Sequence, residues 1–314
     1  MIEILCVGQL VADILVRPVE RVDFGIDTQR VELIELRNGG DSLNAAIGLS
    51  RLGFRVGFVG RIGTDHWGDF LASVIRNEGI DARGLKRIAE AGTGSVVVLI
   101  NSSGERVFFY HGGTNDLFRP EDVDPALVAE ASIVHVGGTY LLPRFDGTGA
   151  AQLLAAARKR GKLTSMDVTW DATGRWLATI GPCLPHLSFF LPSVREAREI
   201  TGRERPEEMA EFLQARGVES VAIKLGAQGC YVKAPTGKGF YAPAFSTQVV
   251  DTTGAGDSFV AGFLAGVLRG RDLGACARLA CAVAALNIRK VGATAGMPSM
   301  QDASILMNSE GSER

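Results

Sequence analysis

Val250-Asp251-Thr252-Thr253-Gly254-Ala255-Gly256-Asp257-Ser258-Phe259 opens a segment whose apolar residues Phe259, Val260, Phe263, Leu264, Val267 and Leu268 recur at helical spacing. Small residues ahead of a helix N-terminus let several backbone N–H groups converge on an anion. An acid in the first turn is also favoured by the helix dipole, by roughly 0.3–1 kcal/mol. Asp257 therefore has two readings: a helix-start residue, or an acid beside a bound anion. Gly254-Ala255-Gly256 caps a helix no better than one Ser or Asp would, but it suits a site where phosphate oxygens approach the backbone. The dinucleotide fingerprint fails here, because Phe259 stands where its third glycine belongs. No G-x-x-x-x-G-K-[ST] run exists either, and Thr236-Gly237-Lys238-Gly239 reads as a hairpin turn.

Outward from this segment, strands and helices alternate. Apolar runs at 2–7, 56–60, 133–136, 163–167, 187–191 and 220–224 predict strands. Helical patterns fall at 43–52, 67–78, 150–160, 194–201 and 206–215, and a strand pair near 230–241 precedes helices at 257–269 and 274–288. Such alternation implies βαβ units and a mostly parallel sheet covered on both faces, an α/β chain in three layers. Two stretches stand apart. Residues 13–17 and 31–37, with β-rich runs 95–100 and 106–110 around Asn101-Ser102-Ser103-Gly104, predict a small antiparallel sheet outside the main body. The reading is one domain over 1–314, a discontinuous β lid inserted from about 13–37 and 95–111, and a disordered tail at 308–314.

Composition narrows the function. Lys and Arg number 33 against 35 Asp and Glu, a formal net charge of −2. That balance argues against nucleic-acid or anionic-membrane binding, which need clustered basic residues. Hydrophobic residues make up 46% and charged ones 22%, as in an ordinary globular protein. The 39 glycines among 314 residues are about 12%, against a usual ~7%, and ask for tight turns or close backbone approaches. Cys6, Cys183, Cys230, Cys276 and Cys281 are scattered and odd in number, which predicts buried free thiols. The first residues read as a strand rather than a signal peptide, and no run is long enough to span a membrane, so a cytoplasmic location is expected.

A second segment, Asn38-Gly39-Gly40-Asp41-Ser42-Leu43-Asn44, gathers two glycines, a carboxylate and an amide between a strand and a helix. Its plain reading is a turn with an Asp N-cap; its functional reading is a polyol site, since Asp accepts paired hydroxyl hydrogen bonds and Asn both gives and accepts. The two segments together resemble the signatures of the PfkB/ribokinase family of carbohydrate kinases, Gly-Gly-x-x-x-Asn and Asp-Thr-x-Gly-Ala-Gly-Asp. The resemblance extends to Gly8 through Asp13, Gly113-Thr114-Asn115-Asp116-Leu117 and Lys224-Leu225-Gly226-Ala227-Gln228-Gly229. It implies a ribokinase-like fold, a sugar covered by the lid, phosphoryl transfer from ATP with Mg²⁺, and a homodimer joined through the lid.

Carried over by position, the resemblance makes Asp257 the catalytic base and Gly254, Ala255 and Gly256 the anion hole. Asp13, Gly39, Gly40, Asp41 and Asn44 match sugar-contacting positions, and Lys224, Gly226 and Gly229 the loop under the nucleotide. Asp251 and Thr253, with main chain near Asn287, Lys290 and Gly292, match a site for a monovalent cation, potassium. The family's Asn-x-x-Glu near the metal and phosphates becomes Ser193 to Glu196 here; Glu196 implies retained Mg²⁺ use, through water, with Ser193 weakening nucleotide or metal affinity. Val11 replaces an Asn of ribokinase, and Gly137-Gly138-Thr139-Tyr140-Leu141 lacks its sugar-binding Glu, which argues against ribose.

Arg106, Phe108 and Tyr110 share one face of the lid hairpin, as sugar- or base-stacking groups or as lid or dimer core. Arg175 is read as a partner for an acidic substrate group or a surface ion pair, and the histidines as structural. The expected activity is phosphorylation of a hydroxyl, a primary hydroxymethyl, of a sugar-like molecule. A nucleoside kinase on the same fold and a non-catalytic sugar sensor are the alternatives.

Overall fold

The computed structural model describes residues 1–309. Its first half contains β1 (Ile4–Gly8), β2 (Val11–Arg17), β3 (Leu33–Gly39), α1 (Asp41–Arg51), β4 (Val56–Ile62), α2 (His66–Asn77), β5 (Asp81–Arg87), β6 (Ser95–Ile100) and β7 (Arg106–His111). There follow α3 (Pro125–Glu130), β8 (Ile133–Thr139), α4 (Thr148–Lys159), β9 (Leu163–Val168), α5 (Trp176–Ile180), β10 (Phe189–Phe190), α6 (Val194–Thr201) and α7 (Pro206–Gln214). The chain ends with β11 (Ser220–Lys224), β12 (Cys230–Lys233), β13 (Phe240–Ala242), α8 (Ala255–Leu268), α9 (Leu273–Asn287) and α10 (Met300–Ser309).

The main sheet has the order β13-β12-β11-β10-β9-β8-β1-β4-β5. It is parallel from β11 to β5, with β12 and β13 added antiparallel at one edge. β1 and β8 are buried along their whole length, as strands covered on both faces must be. Leu43, Leu71, Phe263, Leu279 and Ala303, from α1, α2, α8, α9 and α10, cover one face. Leu127, Leu154, Ile180, Ile200 and Leu213, from α3 to α7, cover the other. The three-layer expectation is met. Part of the glycine excess has its reason in α8: a β-carbon on Gly262 would lie 2.7 Å from Ala280 Cα, so bare backbone is what lets α8 and α9 pack this closely.

The lid is a second sheet in the order β3-β2-β6-β7. It is mixed, not antiparallel as its sequence suggested, because β2 and β6 pair parallel. Both leave the body in the same direction, β2 directly after β1 and β6 after Gly94, while β3 and β7 return. Val11, Leu15, Val96 and Val98 form the small core of the inward face. Register sets Phe108 opposite Val98 and Tyr110 opposite Val96, so these aromatics also face inward. The outward face exposes Ile34, Leu36, Val97, Val107 and Phe109.

One strand was not anticipated, and one boundary moves. β5 carries Asp81, Arg83, Lys86 and Arg87, and this charge hides its strand pattern while suiting an edge strand that must not pair further. Asn308 and Ser309, assigned to the tail, finish α10, and the remainder of that call lies outside the described residues. All five cysteines are free and buried. Among the described residues no helix is long and apolar enough to cross a membrane.

Candidate active site

Carboxyl ends of parallel strands are where open α/β sheets bind ligands. Here the amino ends of α1 and α8 face those strand ends. Gly254 caps α8 in the left-handed region, φ +71°, with no side-chain cap, and any β-carbon there would strike the Ala293 carbonyl. Ser258 Oγ donates to Gly254 O at 2.6 Å and Asn287 Nδ2 to Ala293 O at 2.8 Å, so the turn is held from two sides. The Ala255 N–H bonds Thr252 O at 3.2 Å. Those of Gly254 and Gly256 have no partner within the described residues. Of the anion hole expected at Gly254 to Gly256, two donors are therefore free and one is engaged.

Asp257 lies in that first helical turn, 9% exposed. Asn44 Nδ2 donates to its Oδ2 at 2.8 Å, and Asn38 Nδ2 donates to Asn44 Oδ1 at 3.1 Å. Asn44, expected on the sugar, thus orients the acid. Burial, together with the charges of Asp167 and Glu196, raises Asp257 to about 7 against the pull of the Asn44 hydrogen bond and Lys224. Asp13 rises to about 7 through burial and the charge of Asp257. Asp41 is raised by burial and by Asp257 and Asp167. It stands in the first turn of α1 while Gly40 is the N-cap, so the plain capping reading fails. Gly39 is bare because a β-carbon there would run into the Asp13 carboxylate.

Lys224, at the end of β11, donates to both oxygens of Asp167 at 2.8 Å in a pair 13% and 4% exposed. A β-carbon on Gly256 would come within 3.2 Å of its ammonium. The ammonium therefore stands at the head of α8, while Gly226 and Gly229, both at positive φ, shape the loop beyond it. Asp167 heads a run, Asp167 to Asp171, legible in the sequence as the ligand-binding end of a parallel strand, but it carried no role there. Ser193 caps α6: its Oγ accepts from Glu196 N at 3.3 Å while Glu196 Oε2 accepts from Ser193 N at 2.7 Å. Burial raises Glu196, against the lowering charge of Lys224.

Asp251 is the hub of the preceding turn. Its Oδ1 accepts from Thr253 N at 2.9 Å and Thr253 Oγ1 at 2.7 Å, and its Oδ2 from Gly292 N at 2.8 Å. Arg106 of the lid donates to Asp251 Oδ1 at 2.8 Å, to Thr252 Oγ1 at 2.8 Å and to Thr253 Oγ1. Of the residues expected around a cation, Asp251, Thr253, Asn287 and Gly292 converge, while Lys290 is exposed. Tyr110 donates its hydroxyl to Leu141 O at 3.4 Å, reaching the body from the lid. Gln9, missed in the sequence, is buried beside Gly138 and acts on Tyr110. Arg175 donates to Thr173 Oγ1 at 3.2 Å, and its charge acts on Asp146. His135 is buried against Ser165 Oγ at 3.2 Å, a structural histidine that burial pushes down to about 3.

Residues 1–300 match the family model described as pfkB family carbohydrate kinase. An uncharacterized sugar kinase of Archaeoglobus fulgidus is 32% identical over 256 residues, covering 82% of this chain and all of that one. The 5-dehydro-2-deoxygluconokinase of Shouchella clausii is 29% identical over 283 residues, covering 87% and 86%. The structure of Arabidopsis thaliana ribokinase complexed with ribose and ATP superposes with a TM-score of 0.87 at 27% identity, covering 98% of this chain and 99% of that one. The chain belongs to the pfkB family of carbohydrate kinases.

Proposed function

We propose that this carbohydrate kinase moves the γ-phosphoryl group of ATP to a hydroxyl of a sugar, a primary hydroxymethyl, with Asp257 as general base. The observation that carries the reading is a buried carboxyl, raised to about 7 and oriented by Asn44, one residue past the unpaired N–H of Gly256. A base of that pKa can take a hydroxyl proton at neutral pH. The N–H groups of Gly254 and Gly256, with the Lys224 ammonium beside them, meet negative charge on the transferring group without reorganising. Asp13 and Asp41 orient acceptor hydroxyls under the lid, and Tyr110 and the lid strands keep water out.

The site's own charge supports a magnesium ion. Asp41, Asp167, Glu196 and Asp257 act on one another around the ammonium of Lys224, and burial raises all of these acids. That surplus of buried carboxylates fits a hard divalent cation shared with phosphates. Glu196 Oε1, the oxygen not engaged with Ser193, is the group to hold it through water. When bound, magnesium neutralises phosphate charge and orients the transferring group. The outward lid face, with Ile34 68%, Val107 58% and Phe109 56% exposed, supports a homodimer joined lid to lid.

The test is coupled ADP release with ATP and Mg²⁺ over neutral hexoses, pentoses, polyols, sugar acids and nucleosides. An acceptor-dependent signal from a sugar is the expected result. A signal confined to nucleosides would replace the acceptor class, and silence with ATP bound would sink the kinase reading.

A further inference from the structure

Arg106 opens β7, the outer strand of the lid, yet its hydrogen bonds reach the body. Its guanidinium donates to Asp251 Oδ1 at 2.8 Å, to Thr252 Oγ1 at 2.8 Å and to Thr253 Oγ1. All three acceptors belong to the turn that runs directly into Gly254. The pair is largely withdrawn from water, Arg106 23% and Asp251 12% exposed. Asp251 in turn holds Thr253 N at 2.9 Å and Gly292 N at 2.8 Å, so what the guanidinium grips is the framework of the anion-hole turn.

The charge matters as much as the grip. The carboxyl of Asp251 receives the Arg106 guanidinium and the N–H of Thr253 on Oδ1 and the N–H of Gly292 on Oδ2, an all-donor surrounding that suits a carboxylate. This carboxylate stands three positions before the unpaired N–H of Gly254. An uncompensated carboxylate there opposes the anion that those N–H groups would receive. Arg106 cancels it, and the lid carries Arg106.

We infer that Arg106 is a positioning residue that makes the anion hole ready only when the lid is down: its guanidinium sets the turn 251–254 and neutralises Asp251 in one contact. The inference rests on the kinase reading for its catalytic part, and on the lid-to-turn contact alone for its structural part. It also gives Asp251 its counter-charge from within the chain. Asp251 Oδ1 already accepts three donors and Oδ2 one, and on this inference the Arg106 guanidinium supplies the positive charge beside Asp251 without added potassium.

The experiment uses the full chain with Arg106→Met, Arg106→Lys and the double variant Arg106→Met/Asp251→Asn. In ligand-free protein, amide hydrogen exchange over 106–111 and over 251–257 is expected to quicken together by ~10-fold or more in Arg106→Met, with α9 unchanged, and to be partly restored in Arg106→Lys. Unchanged exchange over 251–257 overturns the contact as a latch, and this arm stands even if no acceptor is found. In turnover, Arg106→Met is expected to lower kcat at least ~10-fold with the acceptor KM moved less than about threefold. Adding Asp251→Asn should recover part of that loss, because the charge to be cancelled is gone. A pure KM effect, an undiminished kcat, or a double variant no better than Arg106→Met overturns the role. Wild-type stimulation by KCl over tetramethylammonium chloride of more than about fivefold overturns the counter-charge argument.

Discussion

Asn44, in the first turn of α1, donates Nδ2–H to Asp257 Oδ2 at 2.8 Å, joining residues 213 positions apart. The amide can point only one way. Its Oδ1 is already the acceptor for Asn38 Nδ2 at 3.1 Å, which leaves Nδ2 for the Asp257 carboxyl. Asn38 in turn accepts from Thr294 Oγ1 at 3.3 Å. The acid that receives a proton in the proposed reaction is thus aimed by a relay that begins in the loop before α10 and passes through β3, an edge strand of the lid.

Replacing Asp257 by Asn keeps this relay's shape and removes the base. Its kcat should fall at least ~10²-fold while calorimetry shows near-native ATP and sugar affinity. Retained turnover would take Asp257 out of the base role.

The raised carboxyls give a pH signature. With Asp257 at about 7 in the free protein, kcat/KM should fall roughly tenfold per unit as pH drops below neutrality. For stability the sign is opposite. Asp13 binds its proton more tightly folded than unfolded, so its contribution is full below the unfolded carboxyl range and is lost as pH rises through about 7. Asp13→Asn should therefore exceed the wild type in stability at pH 8, on the order of 1–3 kcal/mol, with the difference fading toward pH 4 in thermal melts.

Lys224→Met leaves Asp167 buried without its partner and should cost about 3–5 kcal/mol in urea unfolding. Pairing it with Asp167→Asn should return most of the stability and none of the turnover. Recovery of both would show that the ammonium serves the fold alone.

Phe109→Glu places a charge on the outward lid face, 56% exposed in the single chain. Light scattering at micromolar concentration should find a dimer in the wild type and a monomer in the variant, with folding unchanged by circular dichroism. A wild-type monomer would refute the lid-to-lid contact.

Much of this was legible in the chain itself. The alternation of apolar runs with 3.6-periodic stretches determined the covered parallel sheet, because strands buried on both faces leave few other sequences possible. Gly-Ala-Gly before Asp257 pointed to the proposed anion site, because small residues ahead of a helix let backbone N–H groups converge on an anion. Local pattern also misled at definite points. It hid β5 behind its edge charges, and it read the lid as antiparallel because a hairpin shows its turn while the β2–β6 pairing closes over a long stretch of intervening chain.

Tertiary structure decided the rest, since the relations concerned join residues far apart in sequence, and residue identity does not specify a distance. Asn44 turned out to serve Asp257, Lys224 to face Asp167, and Ser193 to cap the helix that carries Glu196. Arg106, legible only as one residue of a lid stripe, acquired its meaning from a turn 145 positions later, because only the folded lid brings a guanidinium to the carboxylate that stands before the proposed anion hole.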